Sequence, residues 1–124
     1  MQFSSFLILA AILFIQSLAA ADTSFLCNDK SKTNAKKTYG ICTRKITDED
    51  KQDMVLKILI QNRPGAAILA RGAIPAGSSF TCNGLKGFKA EARLCADFFV
   101  DPGDVTVNTQ DDITQHTYSP NPRR

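Results

Sequence analysis

Four cysteines, Cys27, Cys42, Cys82 and Cys95, constrain this chain more than any other feature. They fall into two open pairs, with fourteen residues inside the first interval and twelve inside the second. Structural zinc sites place paired ligands two to four residues apart, so this spacing argues against a metal. A catalytic thiol needs a free cysteine beside a base, and the only histidine, His116, stands in a distant polar segment. An even set at such intervals reads instead as two disulfides formed in an oxidising compartment. Three connectivities are open. Local pairing, Cys27–Cys42 with Cys82–Cys95, is marginally favoured, since each bridge closes a short loop worth roughly 3 kcal/mol in unfolded-chain entropy. The nested pairing, Cys27–Cys95 with Cys42–Cys82, stays open beside it, because it ties an N-terminal strand to the best strand segment.

The compartment is argued independently by the N-terminus. Phe6 to Ile15 is an unbroken apolar run, followed by Ala19, Ala20 and Ala21. An apolar stretch before small residues is the pattern of a signal peptide, although the segment ahead of it carries no Lys or Arg. The run is half the roughly 20 residues that a membrane-spanning helix needs. Residues 1–21 are therefore read as a signal peptide, and the protein as secreted and extracellular, with no membrane segment after cleavage. Residues 22–110 form a single disulfide-stapled domain. Residues 111–124 are polar and end in Ser-Pro-Asn-Pro-Arg-Arg, so they are expected to be a disordered tail.

A short pattern recurs around the cysteines. Ser24-Phe25-Leu26-Cys27-Asn28 matches Ser79-Phe80-Thr81-Cys82-Asn83. An aromatic two positions before a cysteine shares its face of a strand, so Phe25 and Phe80 are expected to pack beside the disulfides. One helix is signalled over residues 48–62. Thr47-x-x-Asp50 resembles a capping box, acidic residues fill the first turn, and Met54, Val55, Ile58 and Leu59 recur at helical spacing. Asn62-Arg63-Pro64-Gly65 ends it. Strands are expected around 39–44, 66–71, 79–82 and 91–100, the last with Leu94, Ala96, Phe98 and Val100 on one face. Val105 and Val107 fit a final edge strand. The fold class is α+β: one helix packed on a short antiparallel sheet, with Met54, Val55, Ile58, Leu59, Leu94, Phe98 and Phe80 buried.

Net charge is only +3, too mild to argue nucleic-acid or membrane binding. It is unevenly spread. Six basic residues and one acidic lie between Cys27 and Lys45, whereas Asp97 to Tyr118 holds five aspartates and no Lys or Arg. Lys30, Lys32, Lys36 and Lys37 are the candidate partner contacts. A ribonuclease-like site needs a carboxylate, a histidine and an arginine, and Glu91, His116 and Arg93 supply the types without a spacing that joins them. No nucleophile elbow, phosphate loop or zinc-binding helix motif occurs. No catalytic, cofactor-binding or metal-binding residues are assigned, and no cofactor is implied.

Two resemblances sharpen this. Leu69 to Thr81, with its Ile74-Pro75-Ala76-Gly77 turn, looks like a stretch of β-clip domains, which implies a β-hairpin over about a dozen residues and nothing of function. Phe25-Leu26-Cys27 just after the leader, with Gly40-Ile41-Cys42 and Phe80-Thr81-Cys82, resembles motifs of small secreted cysteine-containing candidate effectors of rust and mildew fungi. The chain departs from that pattern in ending its cysteine set with Leu94-Cys95-Ala96-Asp97. Together with the lack of a catalytic set, the stapled scaffold and the basic loop, the resemblance points to a secreted, non-enzymatic module that binds a host or cell-surface protein, and a monomer is expected. The alternatives are a small ribonuclease-like hydrolase and a toxin or antimicrobial protein.

Overall fold

The computed structural model describes residues 24–120, so the expected signal peptide lies outside the described residues. Within them the strands are β1 (Ser24–Phe25), β2 (Tyr39–Lys45), β3 (Ala66–Gly72), β4 (Ile74–Ala76), β5 (Ser79–Thr81), β6 (Ala92–Ala96), β7 (Val105–Thr109) and β8 (Thr117–Tyr118). The helices are α1 (Met54–Gln61) and α2 (Gln110–His116). The α+β class is as expected, but two helices and two sheets replace one helix on a short sheet. The large sheet has the order β7-β3-β2-β6-β8 and the small one β1-β5-β4, with every neighbour antiparallel.

Alternation along the strands gives the large sheet two apolar faces. Cys42, Leu69 and Cys95 pack on one side with Phe25, Leu85 and Phe88. Ile41, Ala70, Ala96 and Val100 pack together on the other, with Leu94 and Phe98 against them. The Leu94-to-Val100 alternation thus meets in one cluster, although β6 itself stops at Ala96. Two glycines admit what covers these faces. A side chain at Gly40 would run into the Phe80 ring of the small sheet, at 2.4 Å. One at Gly72 would lie 1.8 Å from the Val100 carbonyl oxygen.

The disulfides are nested: Cys27–Cys95 and Cys42–Cys82, with Cα separations of 5.4 and 5.8 Å. The favoured local pairing is corrected, and the repeated motif explains why. β1 and β5 pair with Phe25 opposite Phe80, ring centroids 5.9 Å apart. The two copies therefore form one small sheet, and each sends its cysteine to a different strand of the large one. Bridges spanning 68 and 40 residues remove roughly 4 kcal/mol each of unfolded-chain entropy in the loop-closure view.

The helical segment also differs from expectation. Thr47 and Asp50 do form the reciprocal cap, with Thr47 N–H donating to the Asp50 carboxylate at 2.8 Å and Asp50 N–H to the Thr47 hydroxyl at 3.3 Å. That cap starts only a 3₁₀ turn, Asp50–Gln52. Asp53 then turns extended, and its carboxylate accepts from Val55 and Leu56 N–H, starting α1 afresh. Met54, Val55 and Ile58, expected in the core, are 83%, 67% and 58% exposed. Leu59 is half-buried, and it is Leu56 that joins the core cluster.

The C-terminal segment, expected to be disordered from 111, is folded as far as Tyr118. Thr109 caps α2 by accepting from Asp112 N–H, and Ile113 is buried. β8 then adds to the edge of β6, Thr117 opposite Ala96 and Tyr118 opposite Cys95. A capping threonine, one buried isoleucine and two ladder pairs order a segment whose composition alone reads as tail.

Candidate functional site

The four candidate lysines lie in the segment between Cys27 and β2. Lys30, Lys32 and Lys36 are exposed, while Lys37 is half-buried and donates to the Asn34 side chain at 3.3 Å. The segment is ordered by its one acid. The Asp29 carboxylate accepts from Ser31 N–H at 2.9 Å and from the Asn34 amide at 3.0 Å. These bonds hold its pKa below the usual carboxylate value. A turn follows, with Ala35 N–H donating to the Ser31 carbonyl at 2.9 Å. Asp29 N–H in turn donates to the Tyr118 hydroxyl at 3.2 Å, so the C-terminal strand steadies the lysine loop.

The loop runs into an aromatic pair. Tyr39 opens β2 and meets Phe99 edge-on, with ring centroids 5.6 Å apart and exposures of 42% and 67%. Neither aromatic was singled out from the sequence. A signal was present for Phe99: it falls between Phe98 and Val100, off the buried alternation, so it had to face away from that core.

Two arginines outside this loop serve structure. Arg44 and Arg71 flank the buried Phe88 ring, with guanidinium carbons 5.2 and 5.8 Å from its centroid. Arg44 makes a two-point ion pair with Asp50 at 2.7 and 2.8 Å. Hydrogen bonding from Arg44 drives the Asp50 carboxyl well below the usual carboxylate range. Arg71 donates to the Pro102 carbonyl at 3.0 and 2.7 Å and to the Lys86 carbonyl at 2.8 Å. It thereby clips two loops to the sheet. A groove of about 730 Å³ beside this stack is walled by Val55, Leu56, Leu59 and Val105.

The three residues of the hydrolase alternative do not converge. The Glu91 carboxylate accepts from Lys45 N–H at 2.6 Å, and Arg93 stands opposite Cys42 in the sheet. His116 is adjacent to the Thr117–Ala96 pair, so β6, at about 3.3 Å per residue, separates it from Glu91. His116 is nevertheless held, contrary to expectation: its Nδ1 lies 3.0 Å from the Asp97 carboxylate, and its carbonyl accepts from Asp97 N–H at 3.1 Å. No group of three His, Cys, Asp or Glu side chains among the described residues is placed to hold a metal. No helix among them is long and apolar enough to cross a membrane. Compared with family models, characterised proteins and solved structures, the chain matches none.

Proposed function

We propose that this is a secreted, non-enzymatic protein-binding module, in keeping with its resemblance to candidate effectors, and that it engages an acidic patch on a host protein. The observation that carries the reading is the ordered lysine loop ending at an exposed aromatic pair. Lys30, Lys32 and Lys36 are presented to solvent by a segment whose only carboxylate is engaged in internal hydrogen bonds. Binding to such a loop costs less ordering entropy than binding to a floppy one. Tyr39 and Phe99 add rigid apolar area beside the charge, the combination in which interface energy concentrates. Lys37, bonded to Asn34, acts in the loop's own fold as much as in contact.

The test is capture of a partner from host tissue by the disulfide-intact protein, with the captured protein identified and its affinity measured against salt. Lys30→Glu with Lys36→Glu should weaken binding at least about 10-fold and flatten its salt dependence. Phe99→Ala should weaken it without changing that slope. Hydrolysis of RNA by the purified protein, abolished by His116→Ala, would overturn the reading in favour of the hydrolase.

A further inference from the structure

Two features of another flank lie open together. α1 turns Met54, Val55 and Ile58 to solvent. β7 is an edge strand, paired with β3 on one side and with no described strand on the other. Natural sheets blunt such edges with charge or proline, and Val105–Thr109 has neither. The two features adjoin, since Leu56 on the inner side of α1 packs in one cluster with Val105 and Val107. We infer that this flank is a twofold interface with a second copy of this chain, β7 pairing antiparallel with the partner's β7 and α1 lying against the partner's α1.

A second copy is the occupant because the flank asks for two things at once and itself supplies both. It needs a strand for the edge and an apolar helix surface on the same side of the sheet. A twofold axis normal to the sheet lays β7 antiparallel on itself and keeps both α1 helices on one face. Pairing centred on Val107 sets Val105 opposite Thr109 on the α1 side. On the other side Thr106 meets Asn108, a hydrogen-bonding match. No like charges oppose one another in the strand. Lys57, the only charged residue of α1, lies beside the Met54–Ile58–Val55 arc, where a rim charge stays solvated. Apolar side chains contiguous with an open edge are what an isolated domain avoids. The dimer replaces the monomer expected from sequence and leaves the lysine loop free.

Sedimentation of the full, disulfide-intact protein from about 1 μM to 1 mM tests this, a span over which weak self-association becomes visible. A reversible monomer–dimer equilibrium is expected. Ile58→Glu should weaken it at least about 100-fold, since a twofold interface feels each substitution twice. Met54→Glu should act in the same direction, and Lys36→Glu should leave it unchanged. Amide exchange at β7 should slow as concentration rises through the equilibrium. Sedimentation at the mass of one chain throughout overturns the inference. So does a dimer indifferent to Ile58→Glu, or one in which β7 exchanges as fast as in dilute solution.

Discussion

α1 and α2 are of nearly equal length, eight and seven residues, and an ion pair between Arg63, just past α1, and Asp112 in α2 ties their neighbourhoods together. Their attachment to the sheet is opposite in kind. α1 is apolar at six of eight positions, yet none of its residues is fully buried. α2, Gln-Asp-Asp-Ile-Thr-Gln-His, has one aliphatic residue, and that one is buried. The comparison teaches that the quantity of apolar surface does not decide how firmly a helix is held. α2 is fixed by a capping threonine, a single well-placed isoleucine and the strand that follows it. α1 touches the core through Leu56 and leaves its richest face outside, which makes that face available for association.

The comparison breaks most sharply at Ile113. Ile113→Ala should cost roughly 2–4 kcal/mol. It should release α2 and β8, seen as a fall in thermal midpoint and as fast amide exchange confined to the segment after β7. A loss below about 1 kcal/mol would mean that the ladder pairs of β8, not the isoleucine, hold the tail.

The next effect concerns how α1 is introduced. Asp50 is buried and bound to Arg44 at two points, so Asp50→Asn should cost about 1–3 kcal/mol in urea unfolding at neutral pH. The same pair sets a pH dependence. The folded pKa of Asp50 is depressed below its ordinary 3.8, so its contribution is whole above that value and is lost as pH falls through it toward the lower folded value. Asp29 and Asp112 are shifted in the same direction. The wild type should therefore lose stability below about pH 4, and Asp50→Asn should show a shallower, not an absent, decline.

The smallest effect is the most discriminating for α1. Ile58→Ser should change stability by no more than about 0.5 kcal/mol when measured at low concentration, as for other solvent-facing sites. The same substitution in a core-facing stripe would cost several times more. A large loss would return the Met54–Ile58 stripe to the interior.

Local features of the fold were legible because local geometry imposes them. The turns at Pro64-Gly65 and Ala76-Gly77 both carry glycines at positive φ. The reciprocal bonds of Thr47 and Asp50 form where the spacing places them. The Leu94-to-Val100 alternation finds a single apolar cluster. What stayed hidden depends on partners distant in sequence. Helical spacing shows that Met54, Val55 and Ile58 share a face, but which face the sheet receives depends on Leu56 joining the cluster that Val105 and Val107 also pack against. The cysteine pairing depended on β1 joining β5, and the two-residue β1 is too short to show by periodicity. The order of the C-terminal segment rests on one isoleucine and one threonine cap, too little apolar content to stand out from a solvated stretch. At the candidate surface the lysines were legible as a charge excess. Tyr39 and Phe99 came together only because the loop after β6 returns to the start of β2.

The nesting of the two bridges decides what a single backbone cut can do. A single cut between Cys27 and Cys42 leaves pieces joined through Cys27–Cys95, and so does a cut between Cys82 and Cys95. A cut between Cys42 and Cys82 leaves them joined by both bridges. Two side-by-side bridges would have let that middle cut divide the molecule. Here no single scission anywhere from the lysine loop to β6 detaches a fragment, and a nicked molecule would migrate as one species until reduced. The guarantee ends at Cys95: one cut between it and Gln110 severs the covalent tie to α2 and β8, and with β8 goes the Tyr118 hydroxyl that steadies the lysine loop.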